Sequence, residues 1–366
     1  MTDFRFTALA QSLPSTVPFV GPENQERAQG RTFGARLGAN ENVFGPSPKA
    51  VQAMAETAQW MYGDPESYDL RDALAKHHSC SADNIIVGEG IDGLLGYLVR
   101  LFVADGDAVV TSDGAYPTFN YHVAGFGGTL HKVPYLDDHE DPTTLFSKAA
   151  KTGARLIYLA NPDNPMGTWH KGKTLAAALD ILPADCLLVL DEAYVETAPE
   201  GTATQVNPDD PRVIRMRTFS KAYGLAGARV GYAIGHPELI AAFNKVRNHF
   251  GMNRAAQAGA LAALQDQAYL SETVARISDA RDQITKIASE NGLTAIPSAT
   301  NFVAIDCGQD AAFAQRVLAA LINEGLFVRM PFVAPQNRCI RISCGTSGDL
   351  ALLGAALPKA LKDAAE

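Results

Sequence analysis

Short apolar runs separated by amphipathic stretches dominate the chain from about residue 50 onward. "NIIVG" (84–88), "AVVTS" (108–112), "RLIYLA" (155–160), "CLLVLD" (186–191), "RVIRMRT" (212–218) and "RVGYAIG" (229–235) are rich in Val, Ile and Leu. Near-continuous apolar character over such lengths marks strands buried on both faces and predicts a mostly parallel sheet. The intervals "DGLLGYLVRLFVA" (92–104) and "PELIAAFNKVRNHF" (237–250) repeat apolar residues at helical spacing and predict covering helices. A helix is expected over 255–270 and a long one through 271–290, followed by strands at "NFVAIDC" (301–307), "LFVRM" (326–330) and "CIRISC" (339–344) with helical intervals between them. Residues 1–36 lack periodicity and read as an arm lying on another surface. The expected fold is α/β, a mostly parallel mixed sheet sandwiched by helices, with a smaller α+β C-terminal domain. The expected boundaries are an arm at 1–36, a large domain at 37–252 and a small domain at 253–366.

Composition narrows the function classes. A net charge of −9 argues against broad binding to nucleic acid or anionic membranes. The five cysteines are odd in number and form no C-x-x-C pair, which fits a reducing compartment and indicates neither a disulfide framework nor a metal site. The N-terminus has no sustained apolar run of a signal peptide, and no stretch is long and apolar enough to span a bilayer. A cytoplasmic protein acting on small molecules is expected, with no nucleic-acid or membrane partner.

One motif points elsewhere at first. "IIVGEGIDG" (85–93) places Gly88-x-Gly90-x-x-Gly93 between a strand and a helix, with Asp113 twenty residues beyond, which is the spacing of a dinucleotide-binding fingerprint. A glycine-rich helix start binds any phosphate, however, the single phosphate of pyridoxal phosphate included. Three further loops favour that cofactor. "RTFSKAYGLAGARVGY" (217–232) sets Lys221 among small residues, with room for a bulky ligand and a role as a Schiff-base nucleophile. "LLVLDEAYVE" (187–196) ends an apolar run on Asp191, either a cap for the next turn or the carboxylate that keeps a pyridine nitrogen protonated. "LANPDNPMGT" (159–168) is a turn whose Asn164 amide can face a phenolic oxygen. An NAD-dependent oxidoreductase would leave Lys221, Asp191, Asn164 and Arg229 without work; pyridoxal phosphate uses all four.

Together, "LGANENVFGPSP", "NPDNPMG", "LDEAYVE", "TFSKAYGLAGARVGYAIG" and "IRISCGT" resemble the motif series of fold-type-I pyridoxal-phosphate aminotransferases, and within them the histidinol-phosphate aminotransferase subgroup. The resemblance runs from about residue 36 to residue 348. It implies that Lys221 carries the cofactor, that Asp191 pairs with the ring nitrogen, and that Asn164 and Tyr194 contact the ring hydroxyl. It also implies phosphate contacts from Ser220, Arg229 and the backbone at Gly90, Ile91 and Asp92, and a stacking role for Phe119 in "YPTFNY". Arg341 is expected to clasp a carboxylate, and Arg329 and Asn40 to contact substrate. Tyr62, in "WMYGDPE", is expected to reach the phosphate from a partner subunit, so the resemblance implies a homodimer. Ile91 and Gly93 depart from the subgroup, which usually has a small hydroxyl or alanine with an acidic partner there. The activity implied is amino-group exchange between an amino donor (histidinol phosphate or an aromatic amino acid) and a 2-oxo acid such as 2-oxoglutarate. A decarboxylase or lyase of the same fold would share the cofactor set.

Overall fold

The apolar runs do assemble into one sheet. A computed structural model describes residues 4–15 and 20–366. After a two-residue strand β1 (Ala35–Arg36) come β2 (Ile85–Gly88), β3 (Ala108–Ser112), β4 (Thr129–Val133), β5 (Leu156–Ala160), β6 (Leu187–Asp191), β7 (Val213–Thr218) and β8 (Gly231–Ile234). β2 to β8 form a seven-stranded sheet in the order β2-β8-β7-β6-β5-β3-β4. Every neighbouring pair is parallel except those made by β8, which runs antiparallel to β7 and β2. Every residue of β2, β5 and β6 is buried, because helices cover both faces of the sheet. β4, "TLHKV", is an edge strand with one buried residue, Val133. A strand with one neighbour and one wet face carries little apolar signal, and the sequence reading missed it.

Helix Gly90–Phe102 starts two residues earlier than expected, at a glycine with φ +75°, and buries Leu94, Leu95, Leu98 and Val99 on the sheet. The helix expected over 237–250 ends at Ala242 and passes into a 3₁₀ turn, Phe243–Lys245. Asn253 caps the next helix, Arg254–Gln265, its side chain accepting from the Ala256 N–H. That helix stops short of the expected residue 270, and helix Gln267–Glu290 follows after Asp266, whose carboxylate accepts from Ser47 and Lys49.

The break at Asp266 separates two cores. Ala256, Ala260, Ala263 and Leu264 pack with Ile85, Val87 and Tyr232 of the large sheet. Ile277, Ala280 and Ile284 pack instead with Val303, Ile340 and Ile342. Those belong to a three-stranded antiparallel sheet of β9 (Thr294–Ala295), β10 (Phe302–Asp306) and, after the short β11 (Leu326–Phe327), β12 (Cys339–Ser343). The expected boundary after residue 252 therefore misses the place where the cores part. The boundary after residue 36 misses it as well, since β1 pairs in parallel with β11 and both Ala35 and Leu37 are buried in the smaller core.

Behind the sheet, Glu192 is 1% exposed and accepts from Arg215 Nε (3.0 Å) and Arg217 Nε (2.8 Å) on β7. Burial alone would raise its carboxyl, but the two guanidinium groups hold it below its usual value. Glu192→Gln strands both arginines, and urea unfolding should show a loss of about 3 kcal/mol at pH 7. The contribution of a depressed carboxyl is present above its unfolded-state value and lost as pH falls through the folded one. The gap between variant and wild type should therefore narrow below about pH 4.

Candidate active site

A cavity of about 260 Å³ lies at the carboxyl ends of β5, β6 and β7, where the large sheet meets the smaller domain. Parallel strands deliver their following loops to one edge, so residues far apart in sequence converge there.

The loop after β7 carries Ser220 and Lys221 into the cavity. Lys221 Nζ donates to the Asn40 carbonyl (3.3 Å) and lies 5.5 Å from the centre of the Tyr194 ring. Among the described residues no carboxylate is within ion-pair distance of it. The glycines of this loop serve chain packing more than ligand room. A Cβ on Gly224 would stand 2.6 Å from the Gly45 carbonyl, and one on Gly231 would stand 2.7 Å from the Gly90 carbonyl carbon and Ile91 nitrogen. Gly231 thus lets β8 press against the start of helix Gly90–Phe102.

Asp191 ends β6 at the cavity base and is 5% exposed. It does cap the following turn, as one sequence reading expects: Oδ1 accepts from the Ala193 N–H (2.9 Å), while Oδ2 accepts from the Tyr158 hydroxyl (2.6 Å). Burial pushes its carboxyl up to about 6, against the pull of those two hydrogen bonds. Such a charge is costly unless a cation meets it.

Opposite lies an anion-receiving end. Ile91 and Asp92 line the cavity at the first turn of their helix, and Arg229, at φ +58°, reaches in from the turn before β8. Arg229 Nη1 is 3.5 Å from Ser220 Oγ and Nη2 is 3.5 Å from Asp92 Oδ2. A Cβ on Gly90 would meet that guanidinium at 2.6 Å, so only glycine lets the arginine lie over the helix start.

The third wall joins the two domains. Tyr194 Oη accepts from Asn40 Nδ2 (3.1 Å); Asn40, at φ +55°, is held by Ser343 through its N–H and Oδ1 (both 3.0 Å) and by Asn301 at its carbonyl (2.9 Å). Arg341 on β12 donates to Asn164 Oδ1, and its buried Nε has no partner. Burial pulls its guanidinium down to about 10, and that of Arg329 is lowered by burial as well. The two arginines face each other through an isolated backbone bridge, Arg329 also donating to the Val20 carbonyl (2.7 Å). Asn164 owes its place to Asp163, which clamps the turn by accepting from Met166 N–H and Tyr135 Oη (both 2.8 Å).

Eleven of the fourteen expected site residues line this cavity; Gly90, Phe119 and Tyr62 do not. Gly90 packs directly behind the wall, on Arg229. Phe119 is a correction. It is wholly buried and stacks on Tyr158 (4.9 Å between ring centres), one layer below the cavity. The aromatic on the wall is Tyr116, whose hydroxyl donates to Asp92 (2.9 Å). Both lie in "YPTFNY", but Pro117 starts a helix, and only the residue before it projects toward the strand ends. Tyr62 is 78% exposed outside the cavity, its ring 5.0 Å from Phe250. Asp113 pairs with Lys132 (3.0 Å) and plays no part in the site. Tyr158 was missed altogether. Its signal was a lone phenol in an aliphatic run, two residues from the strand end and so on the same face as it.

The donor set fits pyridoxal 5'-phosphate. A buried carboxylate without a cationic partner suits a protonated ring nitrogen, and helix N–H groups with Arg229 and Ser220 suit a phosphate. Lys221 stands between them as the amine for an aldehyde.

Comparison with known proteins agrees. A family model described as aminotransferase class I and II matches residues 34–357. A histidinol-phosphate aminotransferase of Anaeromyxobacter sp. is 37% identical over 329 residues, covering 87% of this chain and 88% of the relative. One of Moorella thermoacetica is 34% identical over 342 residues, covering 92% and 87%. The crystal structure of histidinol-phosphate aminotransferase from Sinorhizobium meliloti in complex with pyridoxal-5'-phosphate is 53% identical, with a TM-score of 0.95, covering 99% of this chain and 98% of that one.

A carboxyl raised in the fold means that the empty protein binds a proton more tightly than the unfolded chain. Its cost is therefore paid above about pH 6 and vanishes below the unfolded value near 4. Asp191→Asn should make the cofactor-free protein more stable by about 2 kcal/mol at pH 8, with no gain at pH 4. It should also weaken cofactor retention at pH 8. Urea melts of the stripped variant against stripped wild type decide this; a less stable variant at pH 8 would remove the assigned strain.

Proposed function

Because the chain belongs to the class I and II aminotransferases, and is a pyridoxal-phosphate-dependent transaminase, we propose histidinol phosphate as its amino donor and a 2-oxo acid such as 2-oxoglutarate as the acceptor. The observation that carries this is the pair of guanidinium groups, Arg329 and Arg341, on one cavity wall. A phosphate dianion answers two half-buried positive charges, where a single carboxylate answers one. Relatives bearing that activity's name support the same reading.

The residues then divide the work. When bound, the cofactor supplies an aldehyde that captures the amino group and a ring that draws electrons from the donor's Cα. Asp191 keeps the proton on the ring nitrogen. Lys221, the only lysine lining the cavity among the described residues, takes the proton from Cα. Tyr194, oriented by Asn40, and Asn164 would hold the ring hydroxyl of the cofactor. Arg341 and Arg329 fix the donor's anionic end, and release of the Arg341–Asn164 hydrogen bond is the adjustment they require. In the return half Arg341 alone would hold the α-carboxylate of the 2-oxo acid.

The working form is a homodimer in this reading, and the compartment is the cytoplasm, which suits five free cysteines. Tyr62 (78% exposed) and Phe250 (56%) pair their exposed rings, with Trp60 (85%) two residues from Tyr62 in the chain, more than scattered single residues explain. A partner chain would cover it and bring its own Tyr62 to this cavity's phosphate end.

Two measurements test these assignments. Arg329→Ala should lower kcat/KM for histidinol phosphate about a hundredfold and leave that for glutamate within a few-fold, because only the dianion uses both arginines. An unchanged ratio leaves a general aminotransferase of this subgroup. Separately, Tyr62→Phe and Lys221→Ala chains, each nearly inactive alone, should regain activity on mixing, since one of the two heterodimer sites is then intact. Activity of a monomer in light scattering overturns the composite site.

A further inference from the structure

Three residues of the cavity wall have no role so far: Met330, Pro331 and Phe332, which follow Arg329 directly. Phe332 is 78% exposed although it lines the cavity, and among the described residues its ring has no aromatic partner. Single exposed apolar residues are ordinary on a surface, but this one stands on a built support. Pro331 before it is buried. Behind it the wholly buried Gln336, with its amide nitrogen turned inward, donates to the Val333 (3.1 Å) and Ala334 (3.2 Å) carbonyls, and the Asn337 N–H donates to Val333 as well (2.9 Å). Gly114 of the large domain lies against Val333, where an added Cβ would be in van der Waals contact at 3.4 Å. The lip carrying the ring is therefore braced by its own hydrogen bonds and lies against the large domain at Gly114.

We propose that Phe332 is a specificity-determining residue, packing its ring against a planar side chain of the amino donor while Arg329 and Arg341 hold the donor's anionic end. This rests on the donor reading above, and extends it to any donor with a flat imidazole or phenyl group. Glutamate carries no ring and leaves Phe332 in water, so the contact separates donors that share the Arg341 clasp. An aromatic pair of this kind is worth about a tenfold preference at most.

The experiment compares wild type, Phe332→Ala and Phe332→Tyr with histidinol phosphate, phenylalanine and glutamate as donors. It adds equilibrium binding of two unreactive carboxylates, 3-phenylpropionate and glutarate, by calorimetry. Phe332→Ala should lower kcat/KM for ring-bearing donors about five- to tenfold, mainly through KM, and weaken 3-phenylpropionate to match. Glutamate and glutarate should stay within about twofold, and Phe332→Tyr, which keeps the ring, should restore the preference. An equal loss for all ligands, or no loss for any, overturns the assignment while the donor reading stands. If histidinol phosphate is not a substrate but phenylalanine and 3-phenylpropionate depend on Phe332, the donor reading falls and this assignment survives.

Discussion

A carboxylate at the end of a buried strand sets the terms for the whole site. Asp191 has left water without gaining a cation, and two hydrogen bonds, from Tyr158 and Ala193, offset only part of that cost. A protein without use for the charge would have an apolar residue or an amide there. The surrounding construction keeps water from solving the problem cheaply: Tyr158 beneath it is sealed by the Phe119 stack, and Tyr194 closes the small-domain side against Phe302. In the proposed role a protonated ring would relieve that strain, so affinity for the cofactor and the instability of the empty protein would have one origin.

Topology delivers the other groups to that charge. β5, β6 and β7 are parallel neighbours, so Asn164, Asp191 and Lys221 leave the sheet on the same edge. β8 breaks the pattern, and its reversed direction makes Arg229 precede the strand rather than follow it. That reversal brings Arg229 over Gly90 and puts Gly231 against the helix start, where two bare glycine backbones permit the approach. The left-handed conformations of Arg229 and Asn40 are the visible cost. Each is held by more than one partner, which is why the strain persists.

What the sequence made legible follows from how local each signal is. Strands covered on both faces are short apolar runs, and nine were placed to within a few residues, although "LFVRM" pairs only at Leu326–Phe327 before Arg329 joins an isolated bridge. Loop residues with a chemical task stood out because Lys221, Asp191 and Asn164 sit where bland residues suffice. The misses are non-local. The helix at 254–265 is Ala-rich on most sides, and only tertiary packing decides which core it joins. Choosing Phe119 over Tyr116 required the helix phase set by Pro117, not the motif. The bond from Arg341 to Asn164 joins segments far apart in the chain, which no window of sequence displays.

The same non-local join brings two arginines to one cavity wall. Arg341 lies on β12 of the smaller domain, yet it is tied by Asn164 to the large domain and by a weak contact to the Gly38 carbonyl (3.4 Å). Arg329 is held by the Val20 carbonyl, a neutral partner that leaves its charge unanswered. Two like charges held half-buried side by side repel, and Arg329 adds to the burial that lowers the preference of Arg341 for its proton. A carboxylate answers one arginine and a phosphate answers both, so on the proposed reading the charges sort donors by their anion. Selectivity among donors that carry the same anion must then come from what lies beyond the charges. On this wall that is the apolar run from Met330 to Phe332, fixed by a loop that touches both domains.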